Sequence, residues 1–477
     1  MEKVFRDYSF GKSAEYGKQL TVETPINTAE RGGVSRVLSV EAETKTAGVE
    51  LVAGEANVSG KVNFKVLYVD AAGKLCGLDY NKDFEMKIIG EEVVADAEWR
   101  EKLSVMDCGY RLQGDTVEVS AVVDVALIVY KDVKKRGLAS VEGSEMLTTS
   151  VESDRLLGKK ECVYDLVAEE EVGCIVKKVL LFDATSYLTE AGGGEARATV
   201  VYLTEEDEIR EKAFALSFGG EKGDIRAAYD VAVKNARVVI SGDENVSAIE
   251  VEIGVAVTAY EYERENAEVI KDVFLPENVS SLVRETADGE CFIEETLYKE
   301  TLSGSVVLAD SPVEVLITRP VGLAVAGMEA DNDKIKVEGV ASFAVIYRAE
   351  EEYMSGQGEL PFVYELPFAD VAEGDFVRVR PKVIGVKGRS TGEISAEIAL
   401  AVDVYRGASL SIASDLILGP ARVDDGAGIS VYFAEAGEDV WKIASDMGVA
   451  PSALIRANPF LAEPLVEPKK VLIFRAK

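Results

Sequence analysis

Histidine is absent from this chain of 477 residues. Without an imidazole the chain cannot form a Ser-His-Asp or Cys-His catalytic group or a histidine-ligated zinc site, and it lacks the usual general base near pH 7. Cysteine is sparse as well. The five cysteines are scattered with no C-x-x-C spacing, which is typical of reduced, mostly buried thiols. The sequence therefore predicts neither a metal site nor a cofactor.

Positive charge is scarce, because 52 Lys and Arg face 85 Asp and Glu, a formal net charge of −33. Such a charge repels phosphate backbones, anionic lipids and anionic cell-wall polymers, so we expect no nucleic-acid partner. Two explanations of the charge stay open: solubility, or selection of a partner with a basic surface. No stretch approaches the roughly twenty apolar residues of a spanning helix, and residues 1–7 contain no apolar signal region. We expect a cytoplasmic protein without membrane insertion.

Catalytic patterns are also lacking. The glutamate runs at residues 169–171 and 350–352 are consecutive, so on a strand their side chains would point to opposite faces and would not form a carboxylate pair. The three glycines at 192–194 are not followed by G-K-[S/T], which indicates a turn rather than a phosphate-binding loop. We therefore predict that the protein is not an enzyme.

What the chain does contain is a recurring β-pattern. Residues 60–68 (GKVNFKVLY) alternate apolar and polar positions, and residues 339–347 (GVASFAVIY) repeat the pattern, with a weaker copy at 195–202 (EARATVVY). Alternation with period 2 places Phe64 and Phe343 on the buried face of a strand. Each copy is followed about sixty residues later by a second β-rich run ending in tyrosine, at 121–130, 253–260 and 398–405. Three paired copies indicate a threefold repeat.

These patterns predict a mainly β chain of three tandem β-sandwich or barrel-like repeats. The polar segments between them are expected to be connectors, and the first to contain one helix. The predicted boundaries are an N-terminal segment 1–33, repeats 34–130, 172–260 and 302–405, connectors 131–171 and 261–301, a linker 406–429, and a different domain at 430–477.

The last domain is predicted to have the order βααβ. Residues 430–434 form a short strand, and Asp439 can cap a helix that ends at Gly448. Pro451 is placed to begin a second helix, which Asn458 and Pro459 end. Residues 471–474 give the closing strand. The apolar spacing predicts that Trp441 belongs to the core rather than to a ligand contact.

This segment resembles a LysM domain, a family that binds N-acetylglucosamine polymers such as peptidoglycan. The resemblance rests on residues 437–444 (GEDVWKIA), Gly448-Val449, Leu454, Asn458-Pro459 and 471–473 (VLI). It departs from the family at Lys469-Lys470, where a glycine is usual, and at Glu438-Asp439, where many glycan-binding members have Asp-Thr or Asp-Ser. The resemblance implies a binding site formed by two loops, for which the candidate residues are Gly437, Glu438, Asp439, Trp441, Asn458, Pro459 and Phe460.

The upstream repeats resemble the SPOCS-type repeats of spore-coat proteins, through the strands at residues 60–68 and 339–347, Pro367-Phe368 and the closing strands that end in Tyr130, Tyr260 and Tyr405. Tandem SPOCS-type repeats followed by LysM are the layout of the SipL-like coat morphogenesis family. That resemblance implies a structural adaptor in the mother cell, at the forespore surface. It also implies that the LysM segment binds the basal-layer coat ATPase (SpoIVA-like), with other spore coat proteins as further partners. The alternative is a peptidoglycan-binding protein of the cell wall or spore cortex.

Overall fold

The computed structural model describes residues 1–219, 226–242, 246–309, 313–422, 428–463 and 465–475. Within these ranges the chain is mainly β, with twenty strands, two α-helices and two 3-10 turns. The first eighteen strands form six antiparallel sheets of three strands, which pack face to face in twos. We call these the first, second and third sheet pairs. No helix in the described ranges is long and apolar enough to span a bilayer.

The first sheet pair joins the sheet β1-β6-β5 to the sheet β2-β3-β4, and a 3-10 turn (Ala29–Arg31) precedes β2. Both sheets contribute to one apolar core. In β3 the predicted alternation is confirmed, since Val62, Phe64 and Val66 are all buried in that core. The strands are β1 (Lys3–Asn27), β2 (Arg36–Val52), β3 (Glu55–Val69), β4 (Leu75–Ile89), β5 (Glu98–Gln113) and β6 (Thr116–Val141).

The second sheet pair has the same strand order, with β7-β12-β11 packed against β8-β9-β10 around its own core. Its central strand β9 contains the weaker copy of the repeated pattern, and Ala198, Val200 and Tyr202 lie in the core. The strands are β7 (Glu145–Glu171), β8 (Val176–Glu190), β9 (Gly193–Thr204), β10 (Ile209–Phe218), β11 (Ala227–Gly242) and β12 (Ser247–Phe274).

The third sheet pair repeats the order once more, with β13-β18-β17 packed against β14-β15-β16. Phe343 of the central strand β15 is fully buried, as the alternation predicted. The strands are β13 (Asn278–Ser305), β14 (Val313–Asp331), β15 (Lys334–Ala349), β16 (Glu352–Pro367), β17 (Phe376–Gly388) and β18 (Glu393–Ala421).

The segments expected to be connectors are mostly strands. The helix predicted within residues 131–171 is wrong, because β6 and β7 occupy that segment apart from a short turn. In the same way β12 and β13 cover most of residues 261–301, and β18 occupies the first part of the expected linker. These strand segments extend beyond the sandwich cores, where they bury fewer apolar side chains than the strands inside the cores do. Their polar composition fits this position. Residues 423–427 of the expected linker lie outside the described residues.

The three sheet pairs contact one another through two apolar clusters. In one cluster the strand-ending tyrosines Tyr130, Tyr260 and Tyr405 come together, one from each sheet pair. In the other cluster, Leu67 of β3 meets Val201 of β9 and Ile346 of β15, and all are fully buried. The apolar face turned away from each sandwich core is therefore covered by the other sheet pairs.

Buried ion pairs join the same three units. Arg100 of β5 donates to both oxygens of Asp230 in β11, at 2.7 and 2.6 Å, and to Asp403 of β18 at 2.8 Å. Arg380 of β17 also binds Asp230 and Asp403. We call these residues, with Glu295, the Arg100 network.

A second network of ion pairs centres on Arg319 of β14, which pairs with Glu41 of β2 at 2.9 Å and with Asp183 of β8. Lys65 of β3 pairs with the same Asp183. Removing one member of such a buried set leaves a charge without its partner, which is costly in free energy.

The C-terminal unit, residues 428–475, has the predicted order βααβ. Its elements are β19 (Gly428–Ala434), α1 (Val440–Met447), α2 (Pro451–Ala457), a 3-10 turn (Pro459–Ala462) and β20 (Lys469–Arg475). β19 pairs antiparallel with β20, and both helices pack on one face of this two-stranded sheet around Ile443, Leu454 and Ile473. The unit contacts the strands before it, since the N–H and Oγ of Ser452 donate to the Glu145 carboxylate.

Candidate functional site

The first predicted loop of the C-terminal unit precedes helix α1. Gly437 is exposed and has a φ of 85°, a left-handed conformation that favours glycine. Its N–H donates to the carbonyl oxygen of Leu465 at 2.7 Å. Leu465 follows the 3-10 turn of the second predicted loop, so this hydrogen bond connects the two loop regions.

Glu438 is held by three local donors. Its carboxylate accepts hydrogen bonds from the Tyr432 hydroxyl at 3.2 Å and from the Glu435 N–H at 3.0 Å, and it pairs with Lys442 at 2.8 Å. The hydrogen bond from Lys442 lowers the pKa of Glu438 below its ordinary value. The carboxylate therefore fixes the shape of the loop and is not a free charge at the rim.

Asp439 is the N-cap of α1, as the sequence predicted. Its Oδ1 accepts a hydrogen bond from the N–H of Lys442 at 2.8 Å, and the helix ends at Gly448 in the left-handed conformation. Both acidic residues of the first loop thus take part in local structure.

Asn458 is buried and joins helix α2 to strand β20. Its Nδ2 donates to the carbonyl oxygens of Leu454 at 3.1 Å and Leu472 at 2.7 Å, while its Oδ1 accepts from the Leu472 N–H at 2.8 Å. With both ends of the amide engaged, Asn458 has a structural role. Pro459 and Phe460 follow it at the surface, and Nζ of Lys469 lies 5.5 Å from the Phe460 ring centroid.

The prediction that Trp441 belongs to the core is wrong. In α1 the buried core residues are Ile443 and Ala444, and the half-buried Val440 and Met447 pack against them, so these four positions recur at the spacing of one helical face. Trp441 lies one residue from Val440, about 100° around the helix, and is half-buried outside that cluster. Its indole is therefore partly available at the surface.

The sequence analysis missed an apolar surface on the opposite side of the unit. Alternate residues of β19 and β20 point away from the helices, and Ile429 and Phe433 are 70% and 69% exposed. Cross-strand pairing places Ile429 opposite Phe474 and Val431 opposite Leu472. We call this surface the outer face; it consists of Ile429, Val431, Phe433, Leu472 and Phe474. Its signal was present in both strands, where apolar residues follow one another without alternation at 431–434 and at 471–474.

Within the described ranges, no group of three or more Cys, Asp or Glu side chains is placed to hold a metal ion. The arrangement of two loops, a partly exposed indole and an apolar strand face is suited to binding. Comparison of the chain with protein-family models, curated proteins and solved structures gives no match.

Proposed function

We propose that this chain is a non-enzymatic structural adaptor in endospore formation, with three SPOCS-type repeats followed by a LysM domain. The proposal identifies each sheet pair with one repeat and the C-terminal unit with the LysM domain. It is supported by the repeated strand pattern, by the shared strand order of the sheet pairs and by the βααβ order of the last unit. In this function the repeats form a rigid body and the C-terminal unit binds the partner.

The observation that carries the proposal is the outer face. Large exposed apolar side chains on one surface are typical of protein-protein contacts. Residues 428–477 contain six basic and six acidic residues, so the unit is formally neutral and the net charge of −33 belongs to the residues before it. An acidic protein partner would therefore meet little repulsion at this surface.

The proposed partner is the basal-layer coat ATPase, and the proposed location is the mother-cell side of the forespore surface. Protein interfaces bury apolar side chains at their centre, and the outer face offers Ile429, Val431 and Phe433 for that purpose. A sugar polymer would need several polar partners, whereas in the described part of this unit the one charged side chain beside these apolar residues is Lys470, which pairs across the strands with Phe433. Other coat proteins are candidates for the surfaces of the three sheet pairs.

Glycan binding is the second candidate function, and one observation favours it. Trp441 and Phe460 are aromatic, partly exposed and close to the two predicted loops. Aromatic rings at a surface can stack on the apolar faces of sugar rings. In that case the glycan would bind at the loops and leave the outer face free.

Binding of the full chain to purified coat ATPase and to purified peptidoglycan tests both functions. We expect Val431→Ser with Phe433→Ser to weaken ATPase binding by tenfold or more, on the order of 1.4 kcal/mol or more, because two apolar side chains that the interface would bury are lost. Val466→Ser is the matched control, since Val466 is 90% exposed in the same unit but does not belong to the outer face.

The opposite pattern, in which the loop aromatics matter for binding and the outer face does not, would identify a glycan-binding protein. If Trp441→Ala with Phe460→Ala abolishes peptidoglycan binding while the outer-face variant binds the ATPase as the wild type does, the adaptor proposal is wrong. Far-UV circular dichroism of each variant checks that the C-terminal unit remains folded.

A further inference from the structure

Strand β20 of the C-terminal unit has an outer edge that is already covered. Leu472 lies at the centre of this strand, and both of its backbone groups bond to the Asn458 side chain. The N–H of Leu472 donates to Oδ1 at 2.8 Å, and its carbonyl oxygen accepts from Nδ2 at 2.7 Å. The amide of Asn458 thus occupies the place that a neighbouring strand would take. Because both backbone groups of Leu472 point towards Asn458, they point away from β19.

The other strand of this sheet, β19, has a free edge. Val431 is the cross-strand partner of Leu472. In an antiparallel ladder the two residues of a pair exchange either both backbone hydrogen bonds or neither, and the two kinds of pair alternate. Val431 therefore directs its N–H and carbonyl oxygen away from β20, and so do Ile429 and Phe433, two residues to either side. Among the described residues, none forms a hydrogen bond with these three N–H and three carbonyl groups.

Strand β19 also lacks the features that usually protect an edge strand. Residues 428–434 (GISVYFA) contain neither proline nor a charged side chain, and their pairing with β20 has no bulge. By contrast, the edge strand β16 of the third sheet pair includes Pro361 and Pro367. An unprotected row of backbone donors and acceptors is a template for the addition of another strand.

The same three residues connect the free edge to the apolar outer face. Ile429, Val431 and Phe433 direct their backbone groups to the edge, and their exposed side chains belong to the outer face. A strand added beside β19 would continue the sheet, and its alternate side chains would lie on the outer face next to these three. Backbone groups and apolar side chains would therefore contact one and the same partner segment.

We propose that the free edge of β19 binds an extended segment of the partner protein as a third strand of this sheet. Backbone hydrogen bonds give this contact its affinity, and alternate apolar side chains that cover the outer face give it specificity. Nζ of Lys470 lies 5.5 Å from the Phe433 ring centroid, so the segment should carry an acidic residue near Phe433. The inference rests on the proposed function only for the identity of the partner.

A second copy of this chain is a less favourable occupant of the edge. Two β19 strands could pair antiparallel, but the pairing would bring together two chains that each carry a formal net charge of −33. Repulsion between them opposes such a dimer. Residues 428–434 also contain no acidic side chain that could meet Lys470 of the other copy. Both arguments favour a segment of a different protein.

Calorimetric titration of the full chain with purified coat ATPase tests the contribution of the backbone. Val431→Pro removes the outward N–H but keeps an apolar side chain of similar size, and an edge strand tolerates proline where its N–H faces solvent. Val431→Ala is the matched control, because it keeps the N–H and removes more apolar surface. We expect Val431→Pro to bind about tenfold more weakly than Val431→Ala, since a carbonyl group of the added strand loses its donor. Docking on the outer face alone would give the reverse order.

Hydrogen exchange of the wild type provides a readout that needs no variant. The N–H groups of Ile429, Val431 and Phe433 should exchange rapidly in the free chain and about tenfold or more slowly in the complex. A short synthetic peptide in which valine and threonine alternate, with one glutamate, is a second probe that does not depend on the ATPase. Circular dichroism checks the fold of Val431→Pro, and hydrogen exchange decides the matter if that variant does not fold.

The outcomes separate this inference from the proposed function. If the ATPase binds the wild type but Val431→Pro binds as well as Val431→Ala does, strand addition is wrong and the adaptor function stands. If the ATPase does not bind while the peptide protects the three amides, the edge site stands and the proposed partner is wrong. The inference is overturned if neither probe protects the amides. It is also overturned if sedimentation shows a wild-type dimer that Val431→Pro dissociates, since a second copy would then occupy the edge.

Discussion

Nη1 of Arg100 lies 2.8 Å from Oδ2 of Asp403, a residue 303 positions away in the chain, and both side chains are buried. The same guanidinium binds Asp230 of the second sheet pair. One side chain of the first sheet pair thus contacts both of the others. Because a buried cation needs its partners, the sheet pairs depend on one another for stability.

Loss of Asp403 should destabilise the whole assembly of sheet pairs. In Asp403→Ala, Arg100 and Arg380 each lose a buried partner, so we expect the free energy of unfolding to fall by about 3–5 kcal/mol. Urea denaturation followed by circular dichroism measures this change. Glu352→Gln, which removes an exposed ion pair with Arg36, should change it by less than about 1 kcal/mol. Equal effects of the two variants would show that the Arg100 network does not connect the sheet pairs.

The core of the third sheet pair gives a second prediction. Phe343 is fully buried at its centre, so Phe343→Ala should lower the free energy of unfolding by about 3–5 kcal/mol. Phe376→Ala is the control, because Phe376 is 62% exposed in the same sheet pair and its loss should cost about 0.5 kcal/mol or less. Since the sheet pairs share buried contacts, calorimetry should show them melting together. A separate transition for the third sheet pair alone would contradict this coupling.

Within the C-terminal unit, Ile443 and Trp441 should respond differently to truncation. Ile443 is fully buried, so Ile443→Ala should destabilise the unit by about 2–5 kcal/mol. Trp441 lies outside the core, and Trp441→Ala should cost clearly less. Protection of the α1 amides against hydrogen exchange measures local stability in the intact chain. If the tryptophan variant loses as much protection as the isoleucine variant, the indole belongs to the core after all.

The pH dependence of stability should show the titration of Glu295. Burial raises the pKa of Glu295 from 4.5 to about 8, so the folded protein holds a proton that the unfolded chain releases at lower pH. This contribution to stability is fully present below pH 4.5 and is lost as the pH rises through 8, with a slope of up to about 1.4 kcal/mol per pH unit. Glu295→Gln should remove that slope between pH 5 and 8 in urea denaturation. An unchanged slope in the variant would assign the effect to other groups.

Local patterns predicted the elements whose signal is contained in a few residues. Alternation identified the strands at Phe64 and Phe343, and the cap Asp439 and the positive-φ Gly448 gave the ends of α1. The role of Trp441 was misjudged because apolar spacing in a short helix does not say where the apolar face ends. The bonding of Asn458 to β20 could not be predicted, since its partner Leu472 is brought to it only by the fold.

The sequence by itself determined that the chain is mainly β, where the buried strand faces lie, and that a small βααβ unit closes it. These properties follow from side-chain period, capping and turn residues, which act over short distances along the chain. Only the tertiary structure decided that the polar segments are long strands, that Tyr130, Tyr260 and Tyr405 meet, and that Arg100 binds Asp403. Such contacts join residues that lie hundreds of positions apart in the chain. Packing and charge in three dimensions select these partners, so a local sequence pattern cannot predict them.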